Sequence, residues 1–377
     1  VSSTSSAAQG GLLLGFMRAN HSRCLVHWSE CLRGRVPKDP DWISLLGLAN
    51  QTLTTPALMR FATRFKDQIP EDVYFYVEQL FERNVIRNGR LVDQLAEVVG
   101  AINDRGVIPV LLKGAAILAT APQADHGLKL MCDLDIMVSP DETEPTLRAL
   151  LALGYTIEYQ PPADAVGNWH VDLKRVCDVG MIDLHRAPPG PAFFYRASGD
   201  VKQHCTIAHI GRGSVYIPSA TYGALILAVH DQFQDSDYWS GDLDLRHLLE
   251  LRELAHSPEG IDWNLLASFA PDKLARNALE THLVALYSLL DVDVPVRMRS
   301  RFIPLLQHWR RLAQVRFPLL RQALLPITAL DYCNYRNGLG AWTKGEAIVG
   351  DRKWALPKSS TLDWLLWLSH ERRTGKA

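Results

Sequence analysis

Asp133-Leu134-Asp135-Ile136-Met137-Val138 is the segment whose residue types and spacing could do chemistry. In a strand, residues i and i+2 share one face. Asp133 and Asp135 then point together, while Leu134 and Ile136 point to the opposite, buried side. The two Cα atoms would stand roughly 6.5–7 Å apart, so both carboxylates can converge on hard cations between them. Aligned carboxylates repel and lift each other's pKa unless something positive sits beside them. Magnesium, bound through a few carboxylates and triphosphate oxygens, resolves that conflict. An isolated Asp-x-Asp is ordinarily a strand edge with two solvated acids, so the neighbours decide its meaning.

Upstream, Leu111-Leu112-Lys113-Gly114 places a glycine after a predicted strand and at a helix start. Backbone N–H groups and a helix N-terminus can approach phosphate closely there. Lys113 would add a point charge, and Lys129, four residues before Asp133, another. Downstream, Val179-Gly-Met-Ile-Asp-Leu-His185 carries a third acid, Asp183. Its side chain faces away from those of Ile182 and Leu184, on the same face as His185. Three carboxylates complete a two-metal site of the kind that activates a nucleophile and steadies a leaving group. His170, on the strand before Asp183, is a possible acceptor-site residue together with His185. His230 reads instead as a packing histidine. The acid-rich stretch from Asp231 to Asp244 reads as a solvated loop with Asp244 structural, and Trp309-Arg310-Arg311 as a helix with a polar face.

These residues need elements to position them. Residues 20–105 are predicted helical, most clearly from Glu71 to Asp104, where Leu91, Leu95, Val98 and Ile102 repeat at helical spacing. Residues 106–218 alternate: strands over 107–112, 133–138, 155–159, 169–176 and 179–186, with helices over 115–120 and after Ser139-Pro-Asp-Glu142. From 219 onward helices dominate, with one stripe through Tyr222, Leu225, Ile226, Val229 and Phe233. The expected class is α+β: a small mixed sheet (106–218) flanked by an N-terminal helical region (20–105) and a C-terminal helical domain (219–377), with residues 1–19 weakly ordered.

At 377 residues the chain can hold two or three domains. Lysine plus arginine (40) nearly cancels aspartate plus glutamate (41), so no global field draws a long polynucleotide. Six scattered cysteines, without a Cys-x-x-Cys pair, read as reduced thiols in a cytoplasmic protein. Neither Gly11–Met17 nor Leu362–Leu368 is long enough to span a bilayer.

A glycine after a strand, a hydrophobic–Asp–hydrophobic–Asp strand and a later strand acid together resemble the polymerase-β-like nucleotidyltransferases. Within them the chain is most similar to an uncharacterised bacterial family with a Leu-Lys-Gly motif. Leu112-Lys113-Gly114, Lys129 before Asp133-Leu-Asp135, Leu153-Gly154-Tyr155, Ile182-Asp183-Leu184-His185, and a helical tail with His230, Leu243-Asp244-Leu245 and Ile261-Asp262-Trp263 carry the likeness, over roughly 71–267. The resemblance implies that Asp133 and Asp135 bind two Mg2+ or Mn2+ ions, with Asp183 as third metal ligand or as general base for the acceptor. It implies that Lys113, Gly114, Ala115 and Lys129 contact a nucleoside triphosphate, ATP by default. The implied reaction moves a nucleoside monophosphate to a hydroxyl or amine of a small molecule, peptide or protein, with pyrophosphate leaving. Two positions depart from the pattern: Ala115 stands where glycine or serine is usual, so a hydroxyl contact to phosphate is absent, and Lys129 replaces the common arginine and its bidentate fork. The rival readings are a degenerate member acting as a binding partner, and an Asp-x-Asp glycosyltransferase. In the latter the acids normally follow the apolar run; here Ile136-Met-Val138 comes after them.

Overall fold

The computed structural model describes residues 22–161, residues 169–343 and Lys376. The predicted weakly ordered stretch 1–19 lies outside the described residues. Helices α1 (22–32), α2 (Trp42–Gln51), α3 (Met59–Arg64) and α4 (Glu71–Asn103) come first. Glu71 and Asp72 in the first turn of α4 complement the positive end of its dipole. Its 33 residues give a rod about 50 Å long. Gly106, at φ +77°, turns the chain out of it toward the sheet.

The middle region supplies strands β1 (Val110–Leu111), β2 (Asp133–Met137), β3 (Thr156–Tyr159), β4 (His170–Lys174), β5 (Met181–His185), β6 (Cys205–Ile210) and β7 (Gly213–Pro218). They form one mixed sheet in the order β3-β4-β5-β2-β1-β7-β6, with β2–β5 and β1–β7 parallel and the other pairs antiparallel. Between strands lie α5 (Lys113–Thr120) and α6 (Thr143–Ala152). Ser139 and Glu142 form a reciprocal capping box ahead of α6, as the Ser-Pro-Asp-Glu sequence predicts.

Two expectations for the sheet need correction. The strand predicted over 107–112 shrinks to Val110–Leu111, because Pro109 has no N–H to give to a ladder; its carbonyl still accepts from Tyr216. The hairpin β6–β7 was not foreseen. Its outer strand is an edge with much of its surface exposed, so it lacks a clean apolar alternation.

The C-terminal helices are α7 (Ala220–Val229), α8 (Asp237–Ser240), α9 (Leu245–His256), α10 (Trp263–Ser268), α11 (Lys273–Leu290), α12 (Val296–Arg299), α13 (Phe302–Arg316) and α14 (Leu319–Thr343). The stripe predicted on α7 is buried, but so are nine of its ten residues, so the helix is apolar all round and runs through the interior.

Two apolar clusters result. One face of the sheet packs Leu134, Ile136, Val171, Leu173, Ile182 and Leu184 against Leu91–Ile102 of α4. The other cluster joins the N-terminal helices to α7, α9 and α11 and takes in Val110, Leu112 and Met137. Helix α4 contributes Val73, Tyr74 and Val77 to the second and its C-terminal half to the first.

The segment Asp231–Asp244 is not a solvated loop. Asp231, Asp237, Asp242 and Asp244 are all buried. His247 pairs with Asp231, Arg321 with Asp242, and Lys376 with Asp237 and Asp244, which is why burial is tolerated. Nor does Trp309-Arg310-Arg311 present its charges outward: Arg311 is buried against Gln232 and the Asp237 carbonyl, whereas Trp309 is exposed. The six cysteines are free thiols, three of them buried. No helix among the described residues is long and apolar enough to cross a membrane.

Candidate active site

Period-2 alternation sorts the central strands into two faces. Leu134, Ile136, Ile182, Leu184, Val171 and Leu173 are fully buried in the first cluster. That leaves Asp133 and Asp135 of β2, Asp183 and His185 of β5, and His170 and Asp172 of β4 on the opposite face. Register then aligns them: Asp135 lies beside Asp183, Asp183 beside Asp172, and His185 beside His170. Three carboxylates thus form a row across three neighbouring strands.

Asp135 is the most buried of the row, at 3% exposure. Its Oδ1 accepts from Lys113 Nζ (2.9 Å) and His185 Nε2 (3.0 Å). Burial alone would raise its pKa; Lys113 and then His185 outweigh that and hold it well below the usual carboxylate range. Asp183 is the opposite case. It makes no side-chain hydrogen bond or ion pair with the described residues, and burial, then Asp135, Asp133 and Asp172, push its carboxyl up to about 8. Asp133 is exposed at the mouth.

Lys113 opens α5 at φ +44°, a left-handed conformation unusual for a side chain longer than Asn. That turn aims its ammonium at Asp135. Gly114 follows because a Cβ there would meet Lys129 Nζ at 2.6 Å and Met131 Cε at 3.1 Å. The glycine therefore admits Lys129 rather than bending the backbone. Ala115 is buried in the sheet core, with its N–H on the Leu112 carbonyl.

Helix α4 fixes the loop that carries Lys129. Asn84 Nδ2 donates to the Gly127 and Lys129 carbonyls, and Asn88 Nδ2 to those of His126 and Lys129. Arg87 ties the Met131 carbonyl to that of Val179, so the entries to β2 and β5 are held by one side chain.

These groups line a polar cleft of about 190 Å³. Its far wall is the N-terminal half of α9 with the π-helical turn His230–Gln234. Arg246, His247 and Glu250 face the cleft from α9, and Lys129 Nζ pairs with Glu250 at 2.6 Å. Burial disfavours a charged His247, but Asp231 and Asp244 outweigh it and raise its pKa to about 9. The acids on the sheet thus share the cleft with Lys113, Lys129, Arg246 and an imidazolium.

A family model described as an uncharacterised nucleotidyltransferase matches residues 38–290, which contain the whole cleft. The chain belongs to that nucleotidyltransferase family. No curated protein and no solved structure gives a match. Nucleotidyltransferases generally use divalent metal, and the donor set here fits one. Ligand atoms of Asp135, Asp183 and His185 lie within 4.8 Å of one another, and carboxylate oxygens with one imidazole suit a hard or borderline divalent ion. Asp183 carries the clearest sign: a half-buried carboxyl among three others, lacking a cation of its own.

In this nucleotidyltransferase every residue singled out from sequence except Ala115 lines the cleft. Sequence reasoning missed Asp172, Arg246, His247 and Glu250. Asp172 was within reach, since it shares the strand face of His170 by simple alternation. The α9 residues were not, because only the tertiary fold brings that helix over the sheet. His230, read as a packing residue, lines the cleft.

Proposed function

We propose that the cleft transfers a nucleoside monophosphate from a nucleoside triphosphate, ATP by default, to an acceptor hydroxyl or amine. The observation that carries this reading is the meeting of Asp133, Asp135 and Asp183 with Lys113, Lys129, Arg246 and His247 in one cleft. Asp133, Asp135 and Asp183, assisted by His185, would hold two Mg2+ or Mn2+ ions. Bound there, the metal neutralises charge on the triphosphate oxygens. Lys113 and Lys129, with the backbone N–H groups at Gly114, hold the phosphates. Lys113 then exchanges its bond with Asp135 for phosphate, which frees that carboxylate.

The acceptor's lone pair forms the new bond to the α-phosphorus. The bond from that phosphorus to the bridging oxygen breaks, and its electron pair leaves with pyrophosphate. Asp183, whose carboxylate the bound metal would favour, takes the acceptor's proton as general base. The cations of the cleft stabilise charge on the departing pyrophosphate.

Thermal unfolding with each of the four triphosphates, with and without Mg2+ or Mn2+, tests the reading. Ligand at about 100 times its dissociation constant adds roughly 2.7 kcal/mol. The expected result is a metal-dependent rise in midpoint for at least one triphosphate, absent in Asp133→Ala/Asp135→Ala. No rise with any triphosphate, or an equal rise in the double variant, would overturn it.

A further inference from the structure

A second cavity, of about 570 Å³, lies beside the cleft. Lys129 and Met131 line both, so the two share a wall. Its volume falls in the range of small-molecule sites, about 300–1,000 Å³. One wall is apolar, built from Ala116 and Ile117 of α5, Leu128, and Ile217 and Pro218 at the end of β7.

Charge on the rest of the lining is unbalanced. Arg60 pairs with Asp125 at 2.9 Å and Lys129 with Glu250 at 2.6 Å, so both cations are already matched. Glu253 and Glu259 also line the cavity and make no ion pair or side-chain hydrogen bond with the described residues. Glu253 is half-buried; burial, together with Glu250, pushes its carboxyl above the usual range despite Lys129, Arg60 and Arg252, none of which forms an ion pair with it. A half-buried carboxylate left unmatched costs free energy that a bound cation would recover.

One helix connects the two cavities. Arg246, Glu250 and Glu253 follow i, i+4, i+7 on one face of α9. Arg246 and Glu250 face the cleft, while Glu253 faces the second cavity, roughly 10 Å beyond Arg246 and about 4.5 Å beyond Glu250 along the axis. A molecule lying along this face with its charged end at Glu253 would direct its other end past Lys129 toward the cleft.

We propose that this second cavity is the acceptor site and that it takes a small cationic amphiphile, an apolar body bearing a protonated amine. The apolar body packs on Ile117 and Ile217, and the ammonium pairs with Glu253. As an acceptor site it rests on the nucleotidyl-transfer reading of the cleft.

The test uses three probes of one shape: 4-phenylbutylamine, 4-phenylbutan-1-ol and 4-phenylbutanoate. Each is titrated by calorimetry into the full chain without metal or nucleotide. The amine is expected to bind at least about tenfold more tightly than the alcohol, and the carboxylate not at all. Glu253→Gln should remove the preference for the amine and leave alcohol binding in place. Ile117→Trp should fill the cavity and abolish both. Each variant's own melting midpoint reports that it is folded, and both should keep the metal-dependent triphosphate shift. Equal binding of amine and alcohol, or an amine preference that survives Glu253→Gln, overturns the proposal. Loss of the triphosphate shift in Ile117→Trp alone would make the cavity the seat of the nucleobase and also overturn it. Should wild type show no triphosphate shift while amine binding follows the expected pattern, the reading of the cleft fails and with it the acceptor role.

Discussion

Asp183 is a carboxyl placed where its charge is unwelcome until a cation arrives. Its pKa of about 8 in the folded chain stands against roughly 4 unfolded. A group raised in this way contributes stability that is fully present below the unfolded value and is lost as pH climbs through the folded one. Asparagine mimics the neutral carboxyl at every pH. Metal-free Asp183→Asn should therefore match wild type near pH 4, gain on it steadily to about pH 8, and hold a constant lead above that, as read by thermal melts in chelator. A lead that shrinks with rising pH would show that Asp183 is not the strained group. Saturating Mn2+ should reverse the order, because only the wild type offers the carboxylate. Lys113 plays the complementary part by occupying Asp135 in the empty cleft. Lys113→Met removes that competitor for the carboxylate, so Mn2+ should bind more tightly without nucleotide while turnover of triphosphate falls. Weaker Mn2+ binding in calorimetry would instead mean that Lys113 organises the metal ligands.

At the scale of elements, the cleft depends on how α4 grips the loop over 126–131. Asn84, Arg87 and Asn88 fall at i, i+3 and i+4, one helical face, and together satisfy five backbone carbonyls. Asn88→Ala would leave the His126 carbonyl with one donor fewer and Lys129 held by Asn84 alone. The expected cost is about 1–3 kcal/mol in urea unfolding, with weaker triphosphate affinity through displacement of Lys129. Unchanged affinity alongside the lost stability would separate Lys129 from the nucleotide. The same elements show what the sequence could and could not reveal. Helix α4 was legible because its apolar period coincides with burial, and strands β2 and β5 because acids alternate with apolar residues along them. The hairpin β6–β7 was not, since an edge strand with much of its surface exposed carries little pattern. Asp231–Asp244 was misread for a deeper reason: five acids in fourteen residues look solvated unless one knows that α11, α13 and Lys376 bring cations and imidazoles to them. Polar burial is a tertiary property that local composition cannot report.

For the whole molecule, the question is what holds α9 over the sheet, because Arg246 and His247 face the cleft only while it does. Apolar packing of Leu245, Leu248 and Leu251 supplies part of the answer. The remainder is an ionic junction around His247, where the turn after α7, the N-cap of α9 and the helix α11 meet. Asp231 and Asp244 face its Nδ1, Glu250 lies 3.9 Å from its Nε2, and His230 and His282 stand on the flanks of this group. Burial opposes a charged ring there, yet Asp231 and Asp244 raise it to about 9 from an ordinary value near 6.5. The imidazolium thus stabilises the fold fully below pH 6.5, and that contribution fades as pH passes 9. His247→Gln retains a neutral hydrogen-bonding side chain but strips the imidazolium from Asp231 and leaves Asp244 to Lys376 and Arg246. In chelator, its stability deficit relative to wild type should be largest at pH 6.5 and below, a few kcal/mol, and should close as pH approaches 9. Asp183 titrates alike in both proteins, so it cancels in the difference. Urea unfolding at four pH values from 5.5 to 9.5 measures the gap. A deficit independent of pH would mean that His247 is neutral and that α9 is held by apolar packing alone, which would also remove one of the four cations facing the carboxylates of the cleft.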